Sequence, residues 1–350
     1  DIDQYELMNF SYCILDEAQY IKNHNTKSCQ AARRIRAECR FALTGTPVEN
    51  RLSELWSVFD FLMPGYLSTY ARFRDRFEIP IVKNGDRDAE ERLGRLIAPF
   101  VLRRLKKDVL TELPPKTETV QYAIMSGTQR KLYEANVYET RKQLENATEG
   151  DRMQILAALT RLRQICCDPR LCVQDAEQES AKLELCMQLV NDAVQSGHQL
   201  LLFSQFTTML ELIEQELKKE DISYFVLEGS TSKPKRAELV KRFNAGEASV
   251  FLISLKAGGT GLNLTAADIV IHYDPWWNLA AQNQATDRTH RIGQQNPVQV
   301  YQLIIKDSIE ERILNLQKEK GALAESIIAF GTGGITTMSK DDLLSLLADT

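Results

Sequence analysis

Two adjacent carboxylates, Asp16 and Glu17, follow an apolar run over residues 10–15. A short apolar run predicts a buried strand, and open α/β sheets place catalytic groups at the carboxyl ends of such strands. There, one carboxylate can hold a Mg²⁺ ion while the other orients or deprotonates an attacking water. An isolated Asp-Glu pair is more commonly two exposed loop acids, but the strand before this pair favours the catalytic interpretation.

A second group of charged residues lies near the other end of the chain, where Arg288 and Arg291 are three positions apart. Residues at this spacing lie on one helical face or in one tight turn, so both arginines can reach the same anion. Asp287 and His290 add charge beside them, next to the apolar Ile292. Because a merely solvated face does not require this arrangement, the pair indicates an anion-binding role.

A glycine-rich turn precedes the arginines. The apolar run at 250–253 breaks into a segment that contains Gly259 and Gly261, and a second apolar run follows at 269–271. Sheets in α/β proteins present backbone N–H groups to ligands at such turns. The same pattern also arises for purely steric reasons, so the glycines alone do not identify a ligand.

The elements that must position these residues alternate between strands and helices, which is typical of a parallel sheet with crossover helices. Strands are predicted at 10–15, 40–43, 117–124, 199–203, 224–227, 250–253, 269–272 and 298–304. Helices are predicted at 28–37, 52–62, 128–145, 153–166 and 308–328. We interpret Trp56 in the second of these helices as a core residue, and Arg161 and Arg163 as flanking the apolar stripe of the fourth.

Composition limits the kinds of function. A chain of 350 residues with 43% hydrophobic and 26% charged residues is typical of two ordinary globular domains. The net charge of −5 excludes a surface coated in basic charge, so any nucleic-acid contact must come from a local groove or patch. The seven cysteines form no CxxC pair, which favours reduced thiols over a zinc site or disulfide framework. No run approaches the about 20 apolar residues of a membrane span, and the N-terminus does not look like a signal peptide.

The chain starts at Asp1, without an initiator Met, and enters an apolar strand almost at once. We therefore expect it to be a fragment of a longer protein. The 350 residues contain no G-x-x-x-x-G-K-[ST] run, which is the loop that cradles ATP phosphates. Residues before Asp1 would have to supply that loop.

Taken in order, these motifs resemble motifs two to six of the SWI/SNF-type DNA-dependent ATPases of helicase superfamily two. The strongest likeness is the pairing of Trp-Trp-Asn at 276–278 with His-Arg-Ile-Gly-Gln at 290–294. Asp-Glu-Ala-Gln at 16–19 resembles the Walker B box, Thr-Gly-Thr-Pro at 44–47 the third motif, and Ser-Gln-Phe at 204–206 the fourth. The resemblance covers nearly the whole chain.

Four positions differ from what is common in that family. Gln19 and Asp168 stand where His is common, Leu279 stands where Pro is usual, and Gln282 stands where Glu is common. These departures affect the details of activity that the resemblance implies, and they do not affect membership of the family.

The resemblance implies an α/β fold of two RecA-like parallel-sheet lobes, the first incomplete, with helical insertions and a C-terminal brace helix. It places the C-terminal part of the first lobe with its helical protrusion at 1–112. The second lobe, with its protrusion and the brace helix, is expected at 113–330, and a tail at 331–350. The basic segment at 100–109, followed by Leu-Pro-Pro-Lys at 113–116, indicates the connection between the lobes.

The resemblance also implies roles for individual residues. Asp16 would hold Mg²⁺ and Glu17 would orient the attacking water, while Arg288 and Arg291 would stabilise the γ-phosphate of ATP in the transition state. The residues expected to contact ATP are Gly259, Gly261, Gln284 and Asp287. The residues expected to contact DNA are Thr44, Ser204, Gln205, Ser230, Thr231, Arg236, Lys256, Thr260, Asn263, Trp277 and Asn278.

Two of these roles have an ordinary structural alternative. Ser230 and Thr231 can hydrogen-bond DNA phosphates, but Ser-Thr-Ser before a helix is also a common N-cap. The resemblance favours the phosphate role. Trp277 is expected to face a DNA groove or to steady the loop that does, but tryptophan is also a frequent core anchor.

The function implied by the resemblance is the C-terminal portion of an ATP-dependent translocase on double-stranded DNA that remodels or displaces protein–DNA complexes. ATP and Mg²⁺ would be its cofactors, and protein–DNA complexes or RNA polymerase its further candidate partners. We expect a monomer without membrane contact, cytoplasmic and nucleoid-associated in a bacterium, or nuclear in a eukaryote. Two alternatives are a strand-separating helicase, which the Trp-Trp-Asn signature disfavours, and a non-catalytic DNA- or polymerase-binding scaffold. The missing phosphate loop would favour the scaffold if the gene began at Asp1.

Overall fold

The structure is a computed structural model, and it describes residues 2–45, 52–102, 104, 106–110, 112–125, 127–145, 152–173, 180–258, 262–277 and 279–317. The described residues form two compact units, one before Lys106 and one running from Lys106 to Gln317. This division falls within the basic segment predicted to connect the lobes. The domain boundaries predicted at 112/113 and 330/331 stay predictions. No described helix is long and apolar enough to cross a membrane.

The first unit contains two parallel strands joined by a crossover helix, the connection that parallel pairing requires. Its elements are α1 (Ile2–Tyr5), β1 (Asn9–Leu15), α2 (Lys27–Arg34) and β2 (Arg36–Ala42). The Thr26 hydroxyl accepts a hydrogen bond from the Cys29 N–H and so caps α2. One face of the strands packs on a small core that includes Cys29 and Phe61.

The strand at 10–15 is confirmed, but its predicted burial is wrong, because every residue of β1 is exposed or half-buried. The predicted start of the next strand is also wrong. That strand begins at Arg36 instead of Arg40, and helix α2 ends at Arg34 instead of continuing to Ala37. Residues 36–39 pair with residues 9–12 of β1. Strand pairing therefore overrides the helical spacing of these residues.

The remainder of the first unit is helical, and its elements are α3 (Leu52–Leu62), α4 (Tyr70–Phe73), α5 (Ile79–Asn84) and α6 (Arg87–Ile97). A π-helical turn, Arg74–Glu78, joins α4 to α5. Trp56 is 6% exposed within the shared core, and its Nε1 donates a hydrogen bond to the Ser68 carbonyl at 3.1 Å. The interpretation of Trp56 as a core residue is confirmed.

The second unit is organised around a six-stranded parallel sheet with the order β3-β8-β7-β4-β6-β5. The strands are β3 (Lys116–Ala123), β4 (Leu200–Ser204), β5 (Tyr224–Leu227), β6 (Val250–Ser254), β7 (Ile269–His272) and β8 (Val298–Ile305). Each lies within one residue of its predicted bounds. The predicted α/β class with a parallel sheet is therefore confirmed.

Helices cover both faces of this sheet. The helices of this unit are α7 (Lys106–Val109), α8 (Gly127–Glu145), α9 (Arg152–Cys167), α10 (Ala181–Gln195), α11 (Thr207–Lys219), α12 (Lys233–Asn244), α13 (Leu255–Gly258) and α14 (Leu279–Thr286). Leu200 and Leu202 of β4 pack in one core with α10 and α11, while Leu201 and Phe203 pack in another with α12 and α14. Because successive residues of a strand point to opposite faces, a central strand covered on both sides is apolar throughout.

A buried ion pair ties the terminal helix, described over residues 309–317, to the rest of the second unit. Lys182 of α10 and Glu310 both have fully buried side chains, and the Lys182 Nζ donates to both carboxylate oxygens. Glu310 also accepts a hydrogen bond from the Ile305 N–H at the end of β8. The start of the predicted brace helix is therefore fixed by polar contacts as well as by apolar packing.

His272, the last residue of β7, joins the sheet to α14. Its ring is 1% exposed and stacks on Phe203, and its Nε2 lies 2.8 Å from the Thr286 hydroxyl. Burial, with a smaller contribution from the positive charge of Lys116, lowers the pKa of His272 to about 3. The ring is therefore neutral at neutral pH.

We expect His272 to account for about 2 kcal/mol of stability lost between pH 7 and pH 5. The unfolded chain protonates this histidine near pH 6.5, whereas the folded chain does so only near pH 3. The stabilising contribution is thus present above pH 6.5 and lost as the pH falls below it. Denaturant unfolding at the two pH values measures it. In His272→Gln, whose amide can still bond Thr286, the difference between the two free energies should shrink by that amount. An equal difference in both proteins would contradict the assignment.

Candidate functional site

In the first unit, the predicted acids lie directly after β1, as expected from the sequence. Asp16 is exposed and Glu17 is half-buried, and the Glu17 N–H donates to Asp16 Oδ1 at 2.9 Å. Glu17 has φ 52° and ψ 51°, in the left-handed region. Holding a non-glycine residue there costs about 1–3 kcal/mol, and such strain is concentrated at functional sites.

Gln19 connects these acids to the end of the neighbouring strand. Its Nε2 donates to Glu17 Oε2 at 2.7 Å, and its Oε1 accepts from the Thr44 hydroxyl at 2.8 Å. Backbone hydrogen bonds hold the two strand ends together, from Leu43 N to Leu15 O and from Ala18 N to Leu43 O. One amide side chain thus bridges the predicted Walker B box and the predicted third motif. Of the third motif, residues 46 and 47 lie outside the described residues.

Asp16 fits the predicted role of a Mg²⁺ ligand. Mg²⁺ keeps several waters and is usually held by one or two carboxylates together with substrate phosphate oxygens, which suits a single exposed carboxylate. Among the described residues, no cluster of three or more His, Cys, Asp or Glu side chains could hold an ion by itself. A single exposed carboxylate of this kind is compatible with an ion that further ligands share.

In the second unit, the arginine segment follows α14 and is held by the chain entering this unit. Lys106 Nζ forms an ion pair with Asp287 at 2.8 Å and donates to the His290 carbonyl at 3.2 Å. His290 Nε2 lies 2.9 Å from the Pro114 carbonyl. The segment predicted to connect the lobes thus contacts the arginine segment on either side of Arg288.

The two arginines differ in exposure. Arg288 is 4% exposed, and its carbonyl accepts a hydrogen bond from the Leu264 N–H at 3.1 Å. Arg291 is half-buried and donates from Nη1 to the Leu262 carbonyl at 3.0 Å. Both therefore contact the backbone that follows the glycine-rich turn. Gly259, Thr260 and Gly261 lie outside the described residues, together with Asn278 and the side chain of Lys256.

Asp274 lies at the centre of a polar cluster where β4 and β7 end side by side. Its side chain is fully buried and accepts hydrogen bonds from the Ser204 hydroxyl at 2.5 Å and from both the backbone and side-chain amides of Gln205. Ser204 itself is 0% exposed. This burial argues against a direct DNA contact by the Ser204 side chain and indicates that the serine positions the loop after β7.

Arg163 of α9 completes the same cluster. Its side chain is 4% exposed, and Nη1 donates to Gln205 Oε1 at 2.9 Å while Nη2 donates to the Pro275 carbonyl. Nη2 also lies 3.8 Å from Asp274 Oδ2. The guanidinium carbon sits 5.4 Å from the ring centroid of Trp277, within cation–π distance. The interpretation of Arg163 as a flanking residue is wrong, because it lies inside the unit.

The remaining predicted DNA contacts are spread over the loops of the second unit. Ser230 is exposed and Thr231 half-buried, and the Thr231 hydroxyl accepts from the Glu228 N–H, which stabilises their turn. No described side chain supplies the cap of α12, whose Ser232 N-cap makes no side-chain hydrogen bond. Arg236 donates to the Ala257 carbonyl at 3.3 Å. Asn263 is exposed, while Gln284 and Trp277 are half-buried.

Three residues of the site were missed from the sequence, and two of them left a signal there. Arg163 stands four positions after Leu159 and three before Cys166, both buried, so helical periodicity places it on the inner face of α9. Asp274 comes two residues after the end of the buried strand β7, so it is a carboxylate at a strand end. His272 left no signal, because a histidine at the end of an apolar strand is consistent with many environments.

Comparison with known families gives a consistent result. Residues 1–171 match the SNF2-related domain, and residues 181–293 match the helicase conserved C-terminal domain. Among curated relatives, an ATP-dependent helicase of Mycoplasma genitalium is 38% identical over 99% of this chain and 33% of its own length. A Bacillus subtilis protein named as an ATP-dependent helicase/translocase is 40% identical over 99% of this chain and 38% of its own length. This chain thus spans about a third of these relatives.

Two further proteins extend the likeness beyond bacteria. The human TATA-binding protein-associated factor 172 is 36% identical over 99% of this chain and 22% of its own length. The SWI2/SNF2 ATPase core of Sulfolobus solfataricus, solved in complex with double-stranded DNA, is 35% identical with a TM-score of 0.58. That match covers 99% of this chain and 75% of the solved one. The predicted SWI/SNF-type resemblance is confirmed: the chain belongs to the SNF2-related ATPases of the SWI2/SNF2 family, with an SNF2-related domain followed by a helicase conserved C-terminal domain.

Proposed function

We propose that this chain is the C-terminal part of an ATP-driven translocase on double-stranded DNA that remodels or displaces protein–DNA complexes. The observation that carries the proposal is the cluster around Asp274, where three segments far apart in sequence meet beside Trp277. A strand-end surface of this kind is where α/β sheets bind their ligands. The Sulfolobus relative, solved with double-stranded DNA, supports duplex DNA as that ligand.

On the nucleotide side, Asp16 would hold a Mg²⁺ ion together with ATP phosphate oxygens, and Glu17 would orient the attacking water. The bound ion would neutralise charge that develops on the phosphates during transfer. Arg291 and Arg288 would supply positive charge to the transferred γ-phosphate. Asp287 and Gln284 would hold the segment that carries these arginines, with Gly259 and Gly261 at the turn beside it.

The exposed and half-buried polar groups of the second unit would bind the phosphate backbone of one DNA strand. Hydroxyl, amide and guanidinium groups contact phosphates and fix the register of a duplex without reading its sequence. The residues assigned to this role are Gln205, Ser230, Thr231, Arg236, Lys256, Thr260, Asn263, Trp277 and Asn278, with Thr44 in the first unit. Loss of any single phosphate contact should therefore weaken binding to all sequences alike.

The direct test is a steady-state ATPase assay of the complete gene product with and without duplex DNA. We expect duplex DNA to stimulate hydrolysis and the 350-residue chain alone to show no stimulated hydrolysis, because it contains no G-x-x-x-x-G-K-[ST] loop. Single-stranded DNA of equal length is the control. Equal stimulation by both forms, together with strand separation, would favour a helicase, and no hydrolysis by the complete protein would favour a scaffold.

Arg291→Ala in the complete protein should lower DNA-stimulated turnover by roughly 10³ to 10⁵, the range for loss of an arginine finger. DNA affinity should change little. Arg291 is a cleaner target than Arg288, which is buried and whose truncation would disturb packing. Turnover and DNA binding are measured on the same preparations. Arg130→Ala is the matched control, because Arg130 forms a helical ion pair with Glu134 on α8. Normal turnover in Arg291→Ala would remove the finger assignment.

Gln19→Ala should reduce the stimulation of hydrolysis by DNA about tenfold, because it breaks the bridge from Glu17 to Thr44. A hydrogen bond to a charged group contributes about 1.5–3 kcal/mol, which is enough to change a rate by this factor. Thr44→Val should have a similar effect, and the double variant should be no worse than either single one. Gln30→Ala, an exposed glutamine of the same unit, is the control. If the reductions in DNA stimulation caused by the two substitutions multiply in the double variant, Gln19 and Thr44 act separately.

A further inference from the structure

Trp277 is one of the residues proposed to contact DNA, and its indole ring packs against the buried guanidinium of Arg163. The indole is half-buried, and the guanidinium of Arg163 lies 5.4 Å from its ring centroid. The same guanidinium lies 5.8 Å from the ring of Phe206. Arg163 therefore contacts the aromatic residues of two different loops at once.

The hydrogen bonds of Arg163 fix where its guanidinium plane lies. One nitrogen donates to Gln205, which follows β4, and another donates to the Pro275 carbonyl, two residues before Trp277. Nε is buried and has no hydrogen-bond partner among the described residues. A buried donor left without a partner is costly, so the aromatic contacts and the two remaining bonds must compensate for it.

Asp274 removes the need for any other counter-ion. Its carboxylate accepts three hydrogen bonds from Ser204 and Gln205 and lies 3.8 Å from Arg163. A pair of buried opposite charges with this many hydrogen bonds has one geometry, because any displacement leaves a charge unpaired in a medium of low dielectric. The backbone from residue 274 to residue 277 is thereby attached to helix α9.

We propose that Arg163 is the positioning residue of Trp277: it holds the indole against helix α9, so that the α8–α9 pair and the loop after β7 act on DNA as one rigid body. This inference rests on the proposed DNA-translocase function for its consequence, but the contact itself is independent of that function. The Arg163 side chain is only 4% exposed and is not among the residues proposed to contact DNA or nucleotide. It acts only through Trp277 and the loop.

Arginine is required here because of its shape. Lysine carries the same charge but has a single nitrogen, so it cannot donate to Gln205 and Pro275 while presenting a flat face to the indole. Arg163→Lys keeps the positive charge beside Asp274 and removes the flat guanidinium together with its paired hydrogen bonds to Gln205 and Pro275. It is therefore the variant that separates positioning from folding.

The first measurement is ¹⁹F NMR of the 350-residue chain labelled with 5-fluorotryptophan. The three tryptophans give three signals, assigned by replacing each with Phe. In Arg163→Lys the Trp277 signal should shift or broaden, while that of Trp56 stays in place. Arg170→Lys is the matched control, because Arg170 is a largely buried arginine just after the same helix but pairs with Asp168. An unchanged Trp277 signal in Arg163→Lys would overturn the proposal.

The second measurement uses the complete gene product and duplex DNA. Arg163→Lys should raise the DNA concentration that gives half-maximal ATPase stimulation about tenfold, and Arg170→Lys should not. Combined with Trp277→Ala, Arg163→Lys should add nothing further, because both changes remove the same contact. If the two effects multiply, Arg163 acts by another route and the proposal fails. If duplex DNA does not stimulate the unmodified protein, the proposed function fails while the NMR result still decides the contact.

Phe206→Leu is a second variant that tests the same contact in case Arg163→Lys does not fold. It loosens the guanidinium from its second aromatic neighbour and leaves every hydrogen bond of Arg163 in place. The Trp277 signal should then move in the same direction by a smaller amount. If Arg163→Lys does not fold, Phe206→Leu decides the question. An unchanged Trp277 signal in Phe206→Leu would then overturn the proposal.

Discussion

The buried pair of Arg163 and Asp274 is the interaction on which the second unit's strand-end surface depends. Neither charge can be taken out of water without the other and without hydrogen bonds to the rest of each group. Those bonds come from Ser204, Gln205 and the Pro275 carbonyl. The requirement that every buried polar group be satisfied therefore fixes the ends of two strands, one helix and one loop relative to each other.

Buried polar contacts also fix the other end of the loop after β7. Residues 274–277 lead into α14, and α14 is anchored to β7 by the buried contact between His272 and Thr286. The arginine segment that follows is held in turn by Lys106 through Asp287. Polar contacts between neutral or paired groups link the predicted DNA surface to the predicted nucleotide surface within one unit.

In the first unit, a neutral side chain connects the ends of the two strands. Gln19 bonds the carboxylate of Glu17 and the hydroxyl of Thr44, so the ends of β1 and β2 are tied without a buried charge. An amide can donate and accept at once, which a neutral imidazole also does through its two nitrogens. The glutamine found where the family commonly has histidine thus offers one donor and one acceptor, as a neutral imidazole does. Likewise, Asp168 is occupied in a local contact with Arg170.

The sequence by itself determined the strands of the second unit, because residues buried on both faces must be apolar whatever surrounds them, and it determined the family through motifs whose order is readable along the chain. It also located Asp16, Glu17 and the arginine segment. Only the tertiary structure decided that Arg163 lies inside, because a charge in a helix is read as exposed until its partner Asp274, 111 positions away, is seen beside it. It decided equally that β2 begins at Arg36, since those residues become a strand only by pairing with β1. Local patterns fix what a residue can do, but long-range contacts select which of those possibilities is stable.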